Sequence, residues 1–249
     1  MQFDVLTVLP GFFDGPLRLG VLGRALQTER IRVHIHALRH YAEDRHRKVD
    51  DVPYGGGGGM LIKPEPVFRA VEEIRSADPL EPSRTILLSP QGERLDQGRV
   101  RRLTGYNRLL LICGRYEGVD ERIRDFCVDE EISVGDYVLS GGEAAALVLI
   151  DAVSRQVPGV LGNEKSAGKD SFSAEFLDFP RYTRPEDYMG HRVPEVLLSG
   201  DHRKIEAWRR SRALRATAQK RPDLLRSGTD HNGSRRRKKP SSSNDSLSG

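Results

Sequence analysis

Five consecutive apolar residues, Leu109-Leu110-Leu111-Ile112-Cys113, run directly into Gly114-Arg115-Tyr116-Glu117-Gly118. An unbroken apolar run of strand length reads as a strand buried on both faces, the habit of a parallel sheet covered by helices on each side. Residues 3–9, 33–38 and 85–88 read as further strands, and 17–27, 67–75, 97–103 and 119–126 as helices. This alternation predicts an α/β domain with a largely parallel sheet. Ligands of such sheets bind beyond the carboxyl ends of the strands, where residues 89–92, 114–118 and 133–142 fall. The last of these belongs to Ser133-Val134-Gly135-Asp136-Tyr137-Val138-Leu139-Ser140-Gly141-Gly142-Glu143, which leads straight into an apolar helix at 144–153. Glycine-bearing loops at neighbouring strand ends are expected to shape one pocket.

A chain of 249 residues holds one large domain, or one domain and a small companion, without needing staples. Cys113 and Cys127 show no metal spacing and are too few for a disulfide framework, so both read as reduced core thiols. No basic-then-apolar leader opens the chain and no long apolar run crosses it, which predicts a soluble cytoplasmic protein. Lys and Arg total 40 against 36 Asp and Glu. The excess lies in residues 226–249, with six basic and two acidic residues. Charge elsewhere is balanced but unevenly spread: residues 201–221 carry eight bases (Arg203, Lys204, Arg209, Arg210, Arg212, Arg215, Lys220, Arg221) against Asp201 and Glu206. Such a face either binds a polyanion or is simply solvated.

Four segments follow from this texture: a ligand-binding α/β domain at 1–160, a polar mobile linker at 161–175, a small helical domain at 176–225, and a Ser- and Arg-rich disordered tail at 226–249. In the third, Asp201 is the expected N-cap of a helix whose inward stripe is Ile205, Trp208 and Leu214. Asp170, in the linker, is either an ordinary loop residue or a carboxylate that serves as a base when the loop orders. Arg155, near the end of the 144–153 helix, is either an ion-pair arginine or an anchor for a developing oxyanion.

Tyr54-Gly55-Gly56-Gly57-Gly58-Gly59-Met60 lacks the closing Gly-Lys-Ser/Thr of a phosphate loop. It reads as a flexible linker or as bare backbone that another chain or a nucleotide approaches closely. His34 and His36 share one strand face, but no carboxylate or cysteine stands at ligand spacing in sequence, so no metal site is expected there. No serine sits on a nucleophile elbow.

Asp4-Val5-Leu6-Thr7 with Pro10, Val49-Asp50-Asp51 leading to the glycine run and Met60, Leu88-Ser89-Pro90-Gln91-Gly92, Gly114 to Gly118, Ser133 to Glu143, and Pro158-Gly159-Val160-Leu161-Gly162 occur in one order. Together, over residues 1–225, they resemble the bacterial-type tRNA (guanine-N1)-methyltransferase family, TrmD. The resemblance implies a SPOUT-type fold: a largely parallel sheet with a C-terminal trefoil knot, plus a small mostly helical C-terminal domain. It implies a homodimer that methylates N1 of the guanosine immediately 3′ of the tRNA anticodon, position 37, with S-adenosyl-L-methionine as methyl donor and Mg2+ required. Cofactor-contacting residues would be Leu88, Ser89, Pro90 and Gln91; Gly114, Arg115, Tyr116 and Glu117; Val134, Gly135, Asp136, Tyr137, Val138 and Leu139; with Gly141 and Gly142 beside them. The family's base falls on Asp170 and its supporting arginine on Arg155. The linker would close over the partner's cofactor, and the basic helix at 201–218 would grip tRNA phosphates. No dedicated ion cage is visible; Glu117 is an acidic neighbour.

One departure from the family pattern is Gly58, where the family commonly carries proline. Two other readings remain open: a SPOUT methyltransferase acting on another RNA position or on ribose, and a non-catalytic RNA-binding protein of the same fold. Asp170 argues against the first, because a 2′-hydroxyl needs no base matched to guanine N1. Intact glycines in the cofactor loops argue against the second.

Overall fold

The computed structural model describes residues 1–77, 79–162, 171–172 and 176–225. The chain divides into two compact units, Met1–Ala167 and Gly168–Gly249. In the first, chain order is β1 (Gln2–Thr7), α1 (Gly20–Gln27), β2 (Arg32–Ala37), the two-residue strands β3 (Asp50–Asp51) and β4 (Leu61–Ile62), α2 (Pro64–Ala77), β5 (Ser83–Arg94), α3 (Gln97–Leu103), β6 (Arg108–Cys113), α4 (Glu121–Cys127), β7 (Glu130–Ser133) and α5 (Glu143–Ser154). The main sheet runs β2-β1-β6-β5-β7 with every pairing parallel.

The unbroken apolar runs occupy the middle of this sheet. Every residue of β1 and β6 is buried, because helices cover both faces. Phe3, Val5, Leu109 and Leu111 point into one core with Leu22, Val100, Leu149 and Ile150 of α1, α3 and α5. Leu6, Leu110 and Ile112 point into the other with Val67, Ile74 and Ile123 of α2 and α4. Each such fully buried aliphatic side chain contributes about 1.5–3 kcal/mol.

β5 makes an irregular crossing with its neighbour. Leu88 pairs with Ile132, residues 89–92 loop away, and Glu93 pairs with Ile132 again. Gly92 is required at this return, since a Cβ there would fall on the backbone of Glu131 and Ile132. The strand β7 itself was not expected from sequence. Its Glu130 and Glu131 disguise it, and both are matched by cations: Glu130 by Arg102 at 2.6 Å and Arg84 and Arg99 at 3.6 Å, Glu131 by Arg124. It is an edge strand, where charge is tolerated. The helix expected from residue 17 starts at Gly20, after a 3-10 turn over Pro16–Arg18.

The second unit carries an antiparallel hairpin of β8 (Asp187–Tyr188) and β9 (His191–Arg192), the short helix α6 (Glu195–Leu198) and the helix α7 (His202–Lys220). Asp201 caps α7, accepting from the amides of Arg203 and Lys204, each at 3.1 Å. Its inward side is corrected in one place. Leu214 is exposed, whereas Ile205, Trp208, Ala213, Ala216 and Thr217 are covered. Thr217 Oγ1 accepts from the Leu177 amide at 2.9 Å and donates to the Ala213 carbonyl at 2.8 Å, so a small polar residue serves where the leucine was expected.

Most of the linker expected at 161–175, including Asp170, and the whole tail at 226–249 lie outside the described residues. Among the described residues no helix is long and apolar enough to cross a membrane.

Candidate active site

Because β5, β6 and β7 are parallel neighbours, the bulged part of β5 at 89–91 and the loops that follow β6 and β7, 114–118 and 134–142, meet at one edge of the sheet. These segments line a cleft of about 230 Å³. The structure thus brings together all the cofactor-contacting residues expected from sequence except Asp136. That side chain is 88% exposed, 3.8 Å from Arg94, and outside the lining. The cleft adds Leu87, Gly118, Val119, Arg124, Ile132, Ser133, Ser140 and Ala145. Arg155 is not in its lining. It closes α5, its amide donating to Asp151 O at 3.1 Å.

The loops hold one another in place. The Gly142 amide donates to Gly114 O at 2.8 Å, and Arg115 and Gly141 form an antiparallel bridge. This approach needs glycine: a Cβ on Gly142 would lie 2.7 Å from Cys113 Cα and 3.0 Å from Gly114 N. Ser133 Oγ donates to Gly135 O at 2.9 Å and accepts from its amide at 3.2 Å, fixing the exit from β7. On the far side the Glu117 amide donates to Met60 O and the Ile62 amide to Gly118 O, both at 3.0 Å.

The glycine run therefore ends against the 114–118 loop. A Cβ on Gly59 would fall on Glu117 Cγ, while Gly55, Gly56, Gly57 and Gly58 have open space around them. Close approach is confined to one of the five glycines, and its partner is the chain's own Glu117. Tyr116 adopts a φ of 61° in the same loop. Burial pushes its phenol up, and the nearby Asp50 carboxylate pushes it further, so it stays protonated.

Beneath the cleft lies a group that sequence patterning did not single out. Glu143, the first residue of α5, is 2% exposed. It accepts from Thr7 Oγ1 at 2.8 Å and faces Arg115 Nη1 at 3.5 Å. It thereby joins the end of β1, the loop after β6 and the start of α5. Burial, then the Glu143 charge, holds the Cys113 thiol well above its ordinary range, so this sulfur is inert packing.

The cleft is lined by apolar residues (Leu88, Pro90, Val134, Val138, Leu139, Ala145) and by five glycines, Gly114, Gly118, Gly135, Gly141 and Gly142, which bring main chain close to its surface. Its two arginines face carboxylates, Arg115 toward Glu143 and Arg124 toward Glu131. This lining suits a nucleoside rather than a polyphosphate: the start of α5 borders the cleft, but its first residue is the buried Glu143 carboxylate, and both lining arginines already face carboxylates. S-adenosylmethionine fits that description. Mg2+ finds less: among the described residues the one His/Cys/Asp/Glu group close enough to share an ion is Asp4, His34 and His36, none of which lines the cleft.

Comparison with known proteins agrees with this architecture. Residues 1–227 match the family model described as tRNA (Guanine-1)-methyltransferase TrmD. Relatives named tRNA (guanine-N(1)-)-methyltransferase include that of Halorhodospira halophila, 55% identical over 90% of this chain and 84% of the relative. Those of Chloroflexus aurantiacus and Geobacter sulfurreducens are 52% and 51% identical over 90% of this chain, and 88% and 91% of the respective relatives. The family model covers nine tenths of the chain and the relatives match over a like share, so the chain belongs to the tRNA (guanine-1)-methyltransferase TrmD family.

Proposed function

We propose that the cleft holds S-adenosylmethionine and that the protein methylates N1 of the guanosine immediately 3′ of the anticodon in tRNA. The observation that carries this reading is the bulged part of β5 at 89–91 and the loops 114–118 and 134–142, gathered around one cleft in a member of this family. When bound there, S-adenosylmethionine supplies a methyl group carried on a sulfonium and open to in-line displacement by a ring nitrogen. The protein's part is to hold the adenosine moiety on main-chain groups, exclude water, and manage one proton.

That proton sits on guanine N1, which is a poor nucleophile until it leaves. Asp170 is the proposed acceptor, and the carboxylate becomes a carboxylic acid as the N1–H bond breaks. The guanine is left with negative charge on O6, which Arg155 is proposed to stabilise. N1 lies on the Watson–Crick edge, so the base must be unpaired, as a loop nucleotide is. Exposed Arg203, Arg210, Arg212 and Arg215 on α7 are the proposed phosphate contacts. The proposed homodimer is supported by apolar exposure beside the cleft: Val138 is 85% exposed, with Tyr137 and Leu139 next to it. The trefoil knot is part of the proposal as the fold that the family resemblance implies. A Mg2+ requirement is kept as part of the proposal without any step assigned to it, because the described cleft residues offer no cage. Cytoplasmic action follows from the substrate class.

The test is methyl transfer from labelled S-adenosylmethionine to two tRNA transcripts that differ only in G or A immediately 3′ of the anticodon. Label in the G transcript alone is expected. Equal label in both would move the target to another position or to ribose, and tight tRNA binding without label would make the protein a binding module.

A further inference from the structure

The parallel register of β1 and β2 sets Asp4 opposite His34, and strand alternation puts His36 on the same face. The carboxylate absent from the sequence spacing of the two histidines therefore arrives from the adjacent strand. Asp4 Oδ1 lies 2.8 Å from His36 Nε2 and 3.4 Å from His34 Nδ1, and the three donor atoms lie within 4.8 Å of one another. We infer that Asp4, His34 and His36 form a site for a zinc-class transition-metal ion at the β1–β2 side of the sheet, remote in chemistry from the methyl-transfer cleft.

The surroundings support ligation. The other carboxylate oxygen, Asp4 Oδ2, is held by Gln2 Nε2 and Arg108 Nε, each at 3.0 Å, so Oδ1 is aimed at the histidines. Tyr41 Oη stands 3.3 Å from His36 Nδ1, the outer partner that a ligating imidazole requires. A metal on Nε2 would leave Nδ1 as the ring nitrogen facing Tyr41.

Zinc takes nitrogen and carboxylate donors at about 2.0–2.2 Å, which sets tetrahedral donors roughly 3.4 Å apart. The His34 separation already matches this, and His36 need withdraw by about half an ångström. His34 is 52% exposed, which leaves an entry path and room for a water as fourth ligand. Imidazole donors favour zinc, cobalt, nickel or copper over Mg2+, so the site is separate from the family's ion requirement. The Arg108 charge opposes a dication, which makes this an exchangeable site and not a permanent structural zinc.

The test is equilibrium dialysis of the full-length protein against Zn2+, with visible spectroscopy after Co2+ loading. His34→Ala removes a half-exposed ligand and is expected to fold. His46→Ala is the control, its residue being exposed with its amide bonded to Asp44. Expected are one equivalent of Zn2+ and the d–d bands of tetrahedral Co2+ in the wild type and His46→Ala, with affinity at least about tenfold weaker and the bands lost in His34→Ala. Zn2+ should raise the melting temperature of the wild type but not of His34→Ala. Equal Zn2+ affinity in wild type and His34→Ala, or wild-type Co2+ spectra without tetrahedral bands, would overturn the assignment.

Discussion

Thr7 and Glu143 are 136 positions apart and share a 2.8 Å hydrogen bond below the cleft. Thr7→Val keeps the shape and leaves a buried carboxylate oxygen without that donor, so it should cost about 1–3 kcal/mol in urea unfolding. Glycine positions around the cleft separate just as sharply. Gly142→Ala sets a Cβ against the backbone of Cys113 and Gly114, and is expected to lower stability measurably and weaken S-adenosylmethionine binding in calorimetry. Gly58→Ala meets open space and lies outside the positive-φ set, so it should change stability by no more than about 1 kcal/mol, in the stabilising direction. At this scale the sequence was uneven. The lining glycines announced themselves by their clustering at strand ends, but Glu143 reads as an ordinary first helical residue. Its importance comes from a contact with β1 that no local spacing encodes.

Caps make the elements legible and also titratable. Asp120 opens α4, accepting from the Arg122 amide at 3.0 Å and from its guanidinium at 2.8 and 2.7 Å. The Arg122 hydrogen bond holds its carboxyl below the ordinary value of 3.8, against a smaller upward push from burial, with the Arg122 amide and charge adding to the lowering. A lowered folded-state pKa stabilises above the unfolded value, and that contribution disappears as pH falls through the folded one. Asp120→Asn should therefore be less stable than wild type near neutrality, and the gap should narrow in unfolding titrations as pH falls below the ordinary value of 3.8. Central strands and most helices were readable because burial on both faces forces a continuous apolar run in β6, Leu109 to Cys113, and in the first half of β5, while β1 keeps Phe3, Val5 and Leu6 around a buried Asp4. β7 was not readable, since its paired acids, matched across the sheet edge by Arg84, Arg99, Arg102 and Arg124, hide a strand that packs through Ile132 and Ser133. The Asp4 carboxylate between His34 and His36 was hidden for the same reason: strand register, unlike helical spacing, brings together residues with no fixed sequence separation.

For the molecule as a whole, the parallel sheet order decides where chemistry happens. It gathers the ends of β5, β6 and β7 on one side, and crossings that are far apart in sequence become walls of one cleft. The α/β class and the position of the cleft were foreseeable from alternation and from glycine placement. The looped return of β5 to Ile132 was not, because pairing a strand twice with the same neighbour leaves no periodic trace. The proposed division of labour is that the cleft binds the methyl donor while Asp170 acts only on the substrate proton. This is tested most directly by single-turnover methyl transfer with Asp170→Ala, with S-adenosylmethionine and tRNA affinities measured on the same preparation. The account predicts a rate lowered by about 10²–10⁴-fold with both affinities within a few fold of wild type. A near-normal rate, or a loss matched by equally weakened binding, would contradict it.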